Sequence, residues 1–534
     1  MKSQFLTFDV STLIITLGLI IGIYAFRFYY NYFTRENPLP GPFPLPLIGN
    51  LYQYNGGDFS LWINSFQKKY GDMFELYIAT ERQIWLNRAD QLDKVMSAST
   101  KTAFPVRFSP SEGLDELGIS KHALAFNSDL NSWRFYRKFF DRAMTPKAYK
   151  EAIVVTEKCF KELTGYWDKF GYDNVIDCPS WIRRCIGDTI MFMTLGKNTQ
   201  TMAKYFSILR PSEKVEINQD LFAETEKLIQ SVHSFFMAAQ FFLFFPRFVR
   251  NTVFRFFTKK LVATYNWSKE VVYGIIRERR RVIENTPDNV PLKPDLLSMY
   301  ITANTKRDLI NDKLRSEWKD PMTDEEIRVI IWEVIIGAYE TTPPTFGFVV
   351  DCIEREPEAK QRMIAEIDAH FAEDPDRPIT YNDLSELVYC DAVVNEALRL
   401  HPPGPLNFRY SHRDEEVGGY KWKAGTQFGI NFRAVHRCPS HWQDPDKFFP
   451  ERFLISNAEK NSFLPFGAGM RMCAGKTLAL TIIKTLLVSF YRKYNVRLAN
   501  PDSPLKFSFR LVNACEGAQV RIEPRNLKDE GEMM

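Results

Sequence analysis

The chain has 534 residues, 45% of them hydrophobic, which is enough for one large core or several smaller ones. A net charge of only +4 gives no ground for nucleic-acid binding. Its eight cysteines are scattered, Cys159, Cys185, Cys352 and Cys390 among them, with no CxxC and no tight disulfide spacing, which fits a reducing compartment.

Residues 1–9 read as a short N-terminal tail. Residues 10–33 read as a membrane anchor: Val10 to Phe26 carries no charge and just spans a hydrocarbon core. Phe28, Tyr29, Tyr30 and Tyr32 follow as an interfacial belt. A cleaved signal would end in small residues, whereas this run ends in bulky aromatics. Charge does not set the orientation, because Lys2 and the amino terminus balance Arg27 and Arg35. Residues 34–50 hold five prolines between Asn37 and Asn50, which rule out a regular helix and predict a stiff hinge or arm.

From residue 51 to 534 there is no second linker, repeat or low-complexity tract, so one catalytic domain is expected, mainly α with small β-sheets. Trp62, Phe66 and Tyr70 recur at helical spacing. Met73–Ile78 and Gln83–Leu86 read as a strand pair joined across Thr80–Arg82. Trp133 and Arg137 stand at i, i+4, so an indole and a guanidinium can meet one anion. Residues 235–248 are unusually aromatic, with Arg247, Arg250, Arg255, Lys259 and Lys260 interleaved. They suit either a buried helix pair or a segment dipping into lipid headgroups. Asn266–Ser268 matches a glycosylation acceptor, unused if the body is cytosolic.

Thr323–Glu326 is a capping box that opens a helical run over Ile327–Thr342. Gly337 and Ala338 near its end leave room for a planar cofactor or O₂, and Glu340 and Thr341 supply an acid and a hydroxyl for proton delivery. Pro343 and Pro344 follow directly and predict a kink. Glu396 and Arg399 stand at i, i+3, an ordinary surface ion pair if taken alone. Cys473 lies in the string Phe466–Gly475, before a helical stretch. Gly467, Gly469 and Gly475 allow tight turns. The helix N-terminus and Arg471 favour a thiolate, so Cys473 suits a metal ligand acting from one side.

Phe466, Gly469, Arg471, Cys473 and Gly475 match Phe-x-x-Gly-x-Arg-x-Cys-x-Gly, and the chain resembles the microsomal, membrane-anchored members of the cytochrome P-450 family. The resemblance spans nearly the whole chain and implies the P-450 fold preceded by one transmembrane helix. It implies haem b (iron protoporphyrin IX), with Cys473 as the proximal iron ligand. Trp133, Arg137 and Arg471 are implied to bind propionates, with Arg409 a further arginine candidate that is set aside, and Glu340 and Thr341 to activate oxygen, with Ala338 where the family usually has glycine. Glu396, Arg399 and Arg452 are implied to form a buried structural triad. The activity implied is oxygen insertion into an apolar small molecule at the cytosolic face of the endoplasmic reticulum membrane. About 60 residues follow Cys473, too few for a flavin domain. NADPH is therefore expected to act only indirectly, through a separate NADPH-dependent reductase, with cytochrome b5 as an optional second donor. Two other classes fit a haem-thiolate protein: a peroxide isomerase or dehydratase, which often lacks the acid–alcohol pair, and a non-enzymatic membrane haem sensor.

Overall fold

The computed structural model describes residues 10–309, 320–455, 458–509 and 512–525; the expected tail, 1–9, lies outside them. Helices dominate, and the longest that bears on the site is Asp324–Glu354. Thr323 caps it: the Thr323 hydroxyl accepts from the Glu326 N–H, and the Glu326 carboxylate accepts from the Thr323 N–H. The helix does not stop at Pro343 and Pro344 but runs through both. Burial explains this, since nearly every residue from Thr342 to Ile353 is buried against neighbouring helices. The prolines still remove two N–H donors, so the carbonyls of Tyr339 and Glu340 lose their i+4 partners.

Cys178–Leu195 packs on this helix, and Gly187 permits the close approach: a Cβ there would stand 2.8 Å from the Tyr339 ring. Pro146–Phe170, Val388–Leu400 and Lys476–Lys493 complete the main core, with Phe346, Val349, Ile482, Leu486 and Phe490 fully buried between them. The helix Phe59–Tyr70 carries the aromatic repeat and is capped by Asp58.

The largest sheet has four strands in the order Met73–Ile78, Glu81–Leu86, Gln427–Asn431, Leu406–Tyr410. Its first hairpin turns at Ala79–Thr80, earlier than Thr80–Arg82, with Ala79 at φ 53°. Arg82 is thereby kept in the strand, where it pairs with the buried Glu75 at 2.6 Å. The second and third strands are parallel, a pairing of residues more than 340 positions apart.

The apolar helix extends over Val10–Phe33, through the aromatic belt, with its hydrophobic side chains exposed. The belt is also a joint. Tyr29 stacks on Phe43 at 5.4 Å, Tyr32 and Phe28 meet the Tyr77 ring edge-on, and Arg35 pairs with Glu75 at 2.7 Å. The proline-rich segment lies along the first strand: the Glu75 N–H donates to the Pro40 carbonyl at 2.9 Å, and Asn50 holds Tyr77.

The aromatic stretch divides. Phe235, Phe241 and Phe242 are buried, whereas Phe248 is 75% and Phe256 89% exposed. Arg250 is buried and pairs with Glu116 at 2.6 Å, while Arg255, Lys259 and Lys260 face outward. The stretch is thus partly buried between helices and partly exposed, on different residues.

Candidate haem-thiolate site

Cys473 is held by its own loop. Its N–H donates to the Phe466 carbonyl at 2.9 Å, closing the turn. Gly467 and Gly469 sit at φ 67° and 70°. Gly469 has a second constraint: a Cβ would fall 2.4 Å from the Met96 carbonyl oxygen. Gly475 differs, with an ordinary φ of −84°; it caps the Lys476–Lys493 helix and lies beside the sulfur.

The backbone N–H groups of Gly475 and Lys476 donate to the Cys473 sulfur. Burial nevertheless pushes the thiol up, and the charges opposing it are those of Arg107 and Arg137. Arg471 does not play the expected part toward the sulfur. Its guanidinium lies 4.4 Å over the Trp133 ring and donates to the Asn127 carbonyl. Cys473 itself keeps partial exposure, as a ligand acting from one side requires. Among the described residues no three His, Cys, Asp or Glu side chains gather into a metal site.

Arginines crowd the other side of the loop. Arg107 donates to the Arg471 carbonyl at 2.8 Å, and Arg409 to the Ala468 carbonyl at 3.4 Å. Burial and mutual repulsion lower Arg471 to about 8 and Arg409 to about 9. The Arg471 Nε and Nη1 and the Arg107 Nε are buried with no protein partner. Enclosed guanidiniums with idle donors call for anions at this spot. Two carboxylates on the edge of a flat cofactor would fit that demand, with Cys473 as the residue that would hold its metal. Arg107 was not legible as a site residue, because it reaches the loop from 364 positions away in the chain; Arg409, the candidate set aside above, does reach the loop, from 59 positions away. Trp133 is buried beside Arg471, whereas Arg137 is committed to Asp141 at 2.8 Å and to the Met472 carbonyl at 2.7 Å.

On the long helix, Gly337 is exposed with nothing within 4 Å of a would-be Cβ. Glu340 faces Arg183 at 3.7 Å, and the Thr341 hydroxyl donates to the Gly337 carbonyl at 2.6 Å. An acid, a hydroxyl and open space thus stand together.

Behind the loop, the structure brings Glu396, Arg399 and Arg452 together. Arg399 grips Glu396 with two hydrogen bonds of 2.7 and 2.8 Å, and Arg452 adds one of 3.0 Å. The Phe449 N–H also donates to Glu396, and Arg399 donates to the carbonyls of His436, Pro445 and Lys447. Glu396 and Arg399 are fully buried. His436, which carries no sequence signal, ties this network to the cysteine loop. Its Nε2 accepts the Leu464 N–H at 2.8 Å, which leaves Nδ1–H to donate to the Arg399 carbonyl at 3.2 Å.

Comparison with known proteins agrees with this geometry. The family model for cytochrome P450 matches residues 39–521, and the chain belongs to that family. It is 25% identical to cytochrome P450 3A6 of Oryctolagus cuniculus, covering 94% of each chain, and 26% identical to cytochrome P450 3A1 of Rattus norvegicus, covering 96% of this chain and 97% of the other. It is 23% identical to aromatase of Mus musculus over 93% of this chain and 89% of that one. The crystal structure of the cytochrome P450DA heme domain shares the fold, with a TM-score of 0.75, 22% identity and coverage of 92% and 99%. The protein is a haem-dependent oxidoreductase, a monooxygenase of the P450 class.

Proposed function

We propose that the protein inserts one oxygen atom from O₂ into an apolar substrate at a haem held by Cys473, using electrons from a separate NADPH-dependent reductase, with cytochrome b5 as an optional donor. The observation that carries the reading is the joint geometry of the loop: a thiol on one side, and buried guanidinium donors without partners on the other. Haem bound there supplies the redox chemistry of oxygen activation. The chain's own residues do the rest. Arg107, Arg409 and Arg471 neutralise the propionate edge, with Trp133 packed against Arg471. The N–H groups of Gly475 and Lys476 and the charge of Arg137 stabilise the thiolate. Gly337 and Ala338 leave space on the distal helix, and Glu340, reached by Arg183, passes protons to the Thr341 hydroxyl. Glu396, Arg399 and Arg452 hold the loop from behind.

The Val10–Phe33 helix is long and apolar enough to cross a bilayer. The endoplasmic reticulum, with the body on the cytosolic side, is the location we assign. Phe248 and Phe256, flanked by Arg255, Lys259 and Lys260, give the body a second, weaker contact with lipid.

The test is the reduced carbon-monoxide spectrum. The wild-type protein should show the red-shifted Soret band of a thiolate ligand, and Cys473→Ser should lose it. A Cys473→Ser protein that keeps the full thiolate band would overturn the assignment. Reductase-dependent NADPH consumption on adding substrate separates the monooxygenase from an isomerase or a sensor.

A further inference from the structure

A second cavity lies between the helix Phe59–Tyr70, the far end of the second strand, and the helical turn Phe432–Val435 with the chain that follows it. Among the described residues, none that lines it belongs to the cysteine loop or to the distal helix. Its volume is about 570 Å³, the size of a small-molecule site and far more than a single inorganic ion fills. Lys68, Arg88, Arg433 and Arg437 line it, against Asp72 and Asp446. Arg88 is committed to Asp90 at 3.0 Å and to Asp72 at 3.7 Å. The other three cations are not matched in this way.

Among the described residues Arg433 forms no hydrogen bond or ion pair; its guanidinium rests 5.1 Å over the Phe507 ring. Arg437 donates only from Nε, to Asp446 at 3.0 Å, and that carboxylate is 85% exposed, so the pair offsets little charge. The Arg437 Nη1 is buried with no partner, and among the described residues Nη2 has none either. Lys68 is exposed and, among the described residues, unpaired. Burial, then the charges of Arg433 and Arg399, lowers Arg437 to about 10, and burial lowers Arg433 as well. Crowded guanidiniums with idle donors call for an anion. The polar wall beside them has capacity too. Asn64 accepts from Asn431 at 3.4 Å and keeps its amide N–H groups, while Gln67 donates to Asp72 at 3.1 Å and keeps its carbonyl oxygen.

We propose that this cavity binds a soluble phosphorylated polyol, such as a sugar phosphate, with the phosphate on Arg433, Arg437 and Lys68 and the hydroxyls on the side-chain amides of Asn64 and Gln67. A phosphate monoester brings about two negative charges and three acceptor oxygens, where a carboxylate brings one charge and two oxygens. Arginine forks pair bidentately with phosphate, and Arg433 and Arg437 stand one helical turn apart, so both reach the same group. Among the described residues none that lines the cavity is aromatic, so a nucleobase would find no platform on which to stack. Inositol lipids carry the same headgroup chemistry. The cavity, however, opens beside Asp72, just before the first strand, whereas the joint with the apolar helix is at Tyr77. At about 3.3 Å per residue the two lie about 16 Å apart, which favours a ligand from solution.

The experiment titrates the full-length protein, in phosphatidylcholine nanodiscs at fixed ionic strength, with glucose 6-phosphate, glucose and inorganic phosphate, read by calorimetry. Glucose 6-phosphate should bind about tenfold or more tighter than glucose and about threefold tighter than inorganic phosphate. Arg433→Gln should weaken it about tenfold and Lys68→Gln about threefold. Arg281→Gln, at an exposed position on the helix Arg255–Asn285, should leave it within about twofold. Wild-type protein that binds glucose 6-phosphate no better than glucose overturns the proposal, and inorganic phosphate that binds as tightly as the ester overturns the role of the hydroxyls. An Arg281→Gln variant that loses as much affinity as Arg433→Gln also overturns it, because the phosphate would then be answering overall charge. If Arg433→Gln fails to fold, the exposed Lys68→Gln decides alone, and unchanged binding there overturns the site. Adding phosphatidylinositol 4-phosphate to the nanodiscs should leave the Kd for glucose 6-phosphate unchanged. A Kd that rises with this lipid would put a headgroup in the cavity and overturn the soluble source.

Discussion

Acid should loosen the scaffold behind the cysteine loop through His436, and the size of the effect follows from its surroundings. The ring is fully buried, with the Leu464 N–H on Nε2 and the Arg399 carbonyl on Nδ1–H. Protonation at Nε2 would set a second N–H against the Leu464 donor. Burial, then the nearby Arg399 charge, lowers His436 to about 3, from an unfolded value of about 6.5. Between these values the folded chain binds fewer protons than the unfolded one, so stability falls as pH falls. The stabilising share is whole above about pH 6.5 and is lost progressively down to about pH 3. At pH 5 the loss from this single ring is about 2 kcal/mol. His436→Gln, which does not titrate there, supplies the comparison. Its unfolding free energy should lie about 1–3 kcal/mol below wild type at pH 8, for the disturbed hydrogen bonds. That gap should shrink by about 2 kcal/mol at pH 5. Urea unfolding followed by loss of the thiolate–carbon monoxide band measures both. A gap that stays constant between pH 8 and pH 5 would refute the assignment of a neutral, load-carrying ring.

Glu396→Ala leaves two guanidiniums facing an empty place in a dry core, and should cost about 3–5 kcal/mol and most of the haem content; a variant that purifies fully loaded with an unchanged melting temperature contradicts this. Gly469→Ala forces a Cβ into a left-handed turn 2.4 Å from the Met96 carbonyl oxygen. It should cost at least about 1–2 kcal/mol and lower haem occupancy, measured as haem absorbance per protein. Thr341→Ala should leave haem reduction intact but shift NADPH consumption toward hydrogen peroxide. An unchanged ratio of product to NADPH would mean that another group carries the protons.

The parts of this protein that could be read from sequence are those whose chemistry is local. The cysteine loop announces itself because its glycines, Arg471 and Cys473 act on the same few residues of backbone. The capping box at Thr323 was legible for the same reason. Arg107 and His436 were not, because each gains its meaning from a segment far away in the chain, and a lone arginine or histidine carries no periodicity to mark it. The length of the distal helix was misjudged for the opposite reason: its run was ended at Thr342, before Pro343 and Pro344, yet it continues through both to Glu354 because it is buried on all sides. The hairpin turn was misplaced because Arg82 reads as a turn residue until Glu75 is seen across the strand. Gly475 was taken for a conformational need, yet its backbone is ordinary and its neighbour is the sulfur.

The docking of Tyr29 and Tyr32 onto Phe43 and Tyr77, locked by Arg35 on Glu75, has a mechanical consequence. A span tethered by a loose leash would let the body tumble over the bilayer and offer every side of itself in turn. Here the span and the body meet as a bracket meets a shelf. With that helix in a bilayer, as proposed, tilt would be set at the bracket, and the main freedom left would be to spin about the membrane normal and to drift in the plane. If the outward Phe248 and Phe256 meet lipid as proposed, their footprint would be decided at the Tyr77 joint, so loosening Tyr77 should alter how a greasy molecule travels from bilayer to pocket without touching the pocket itself.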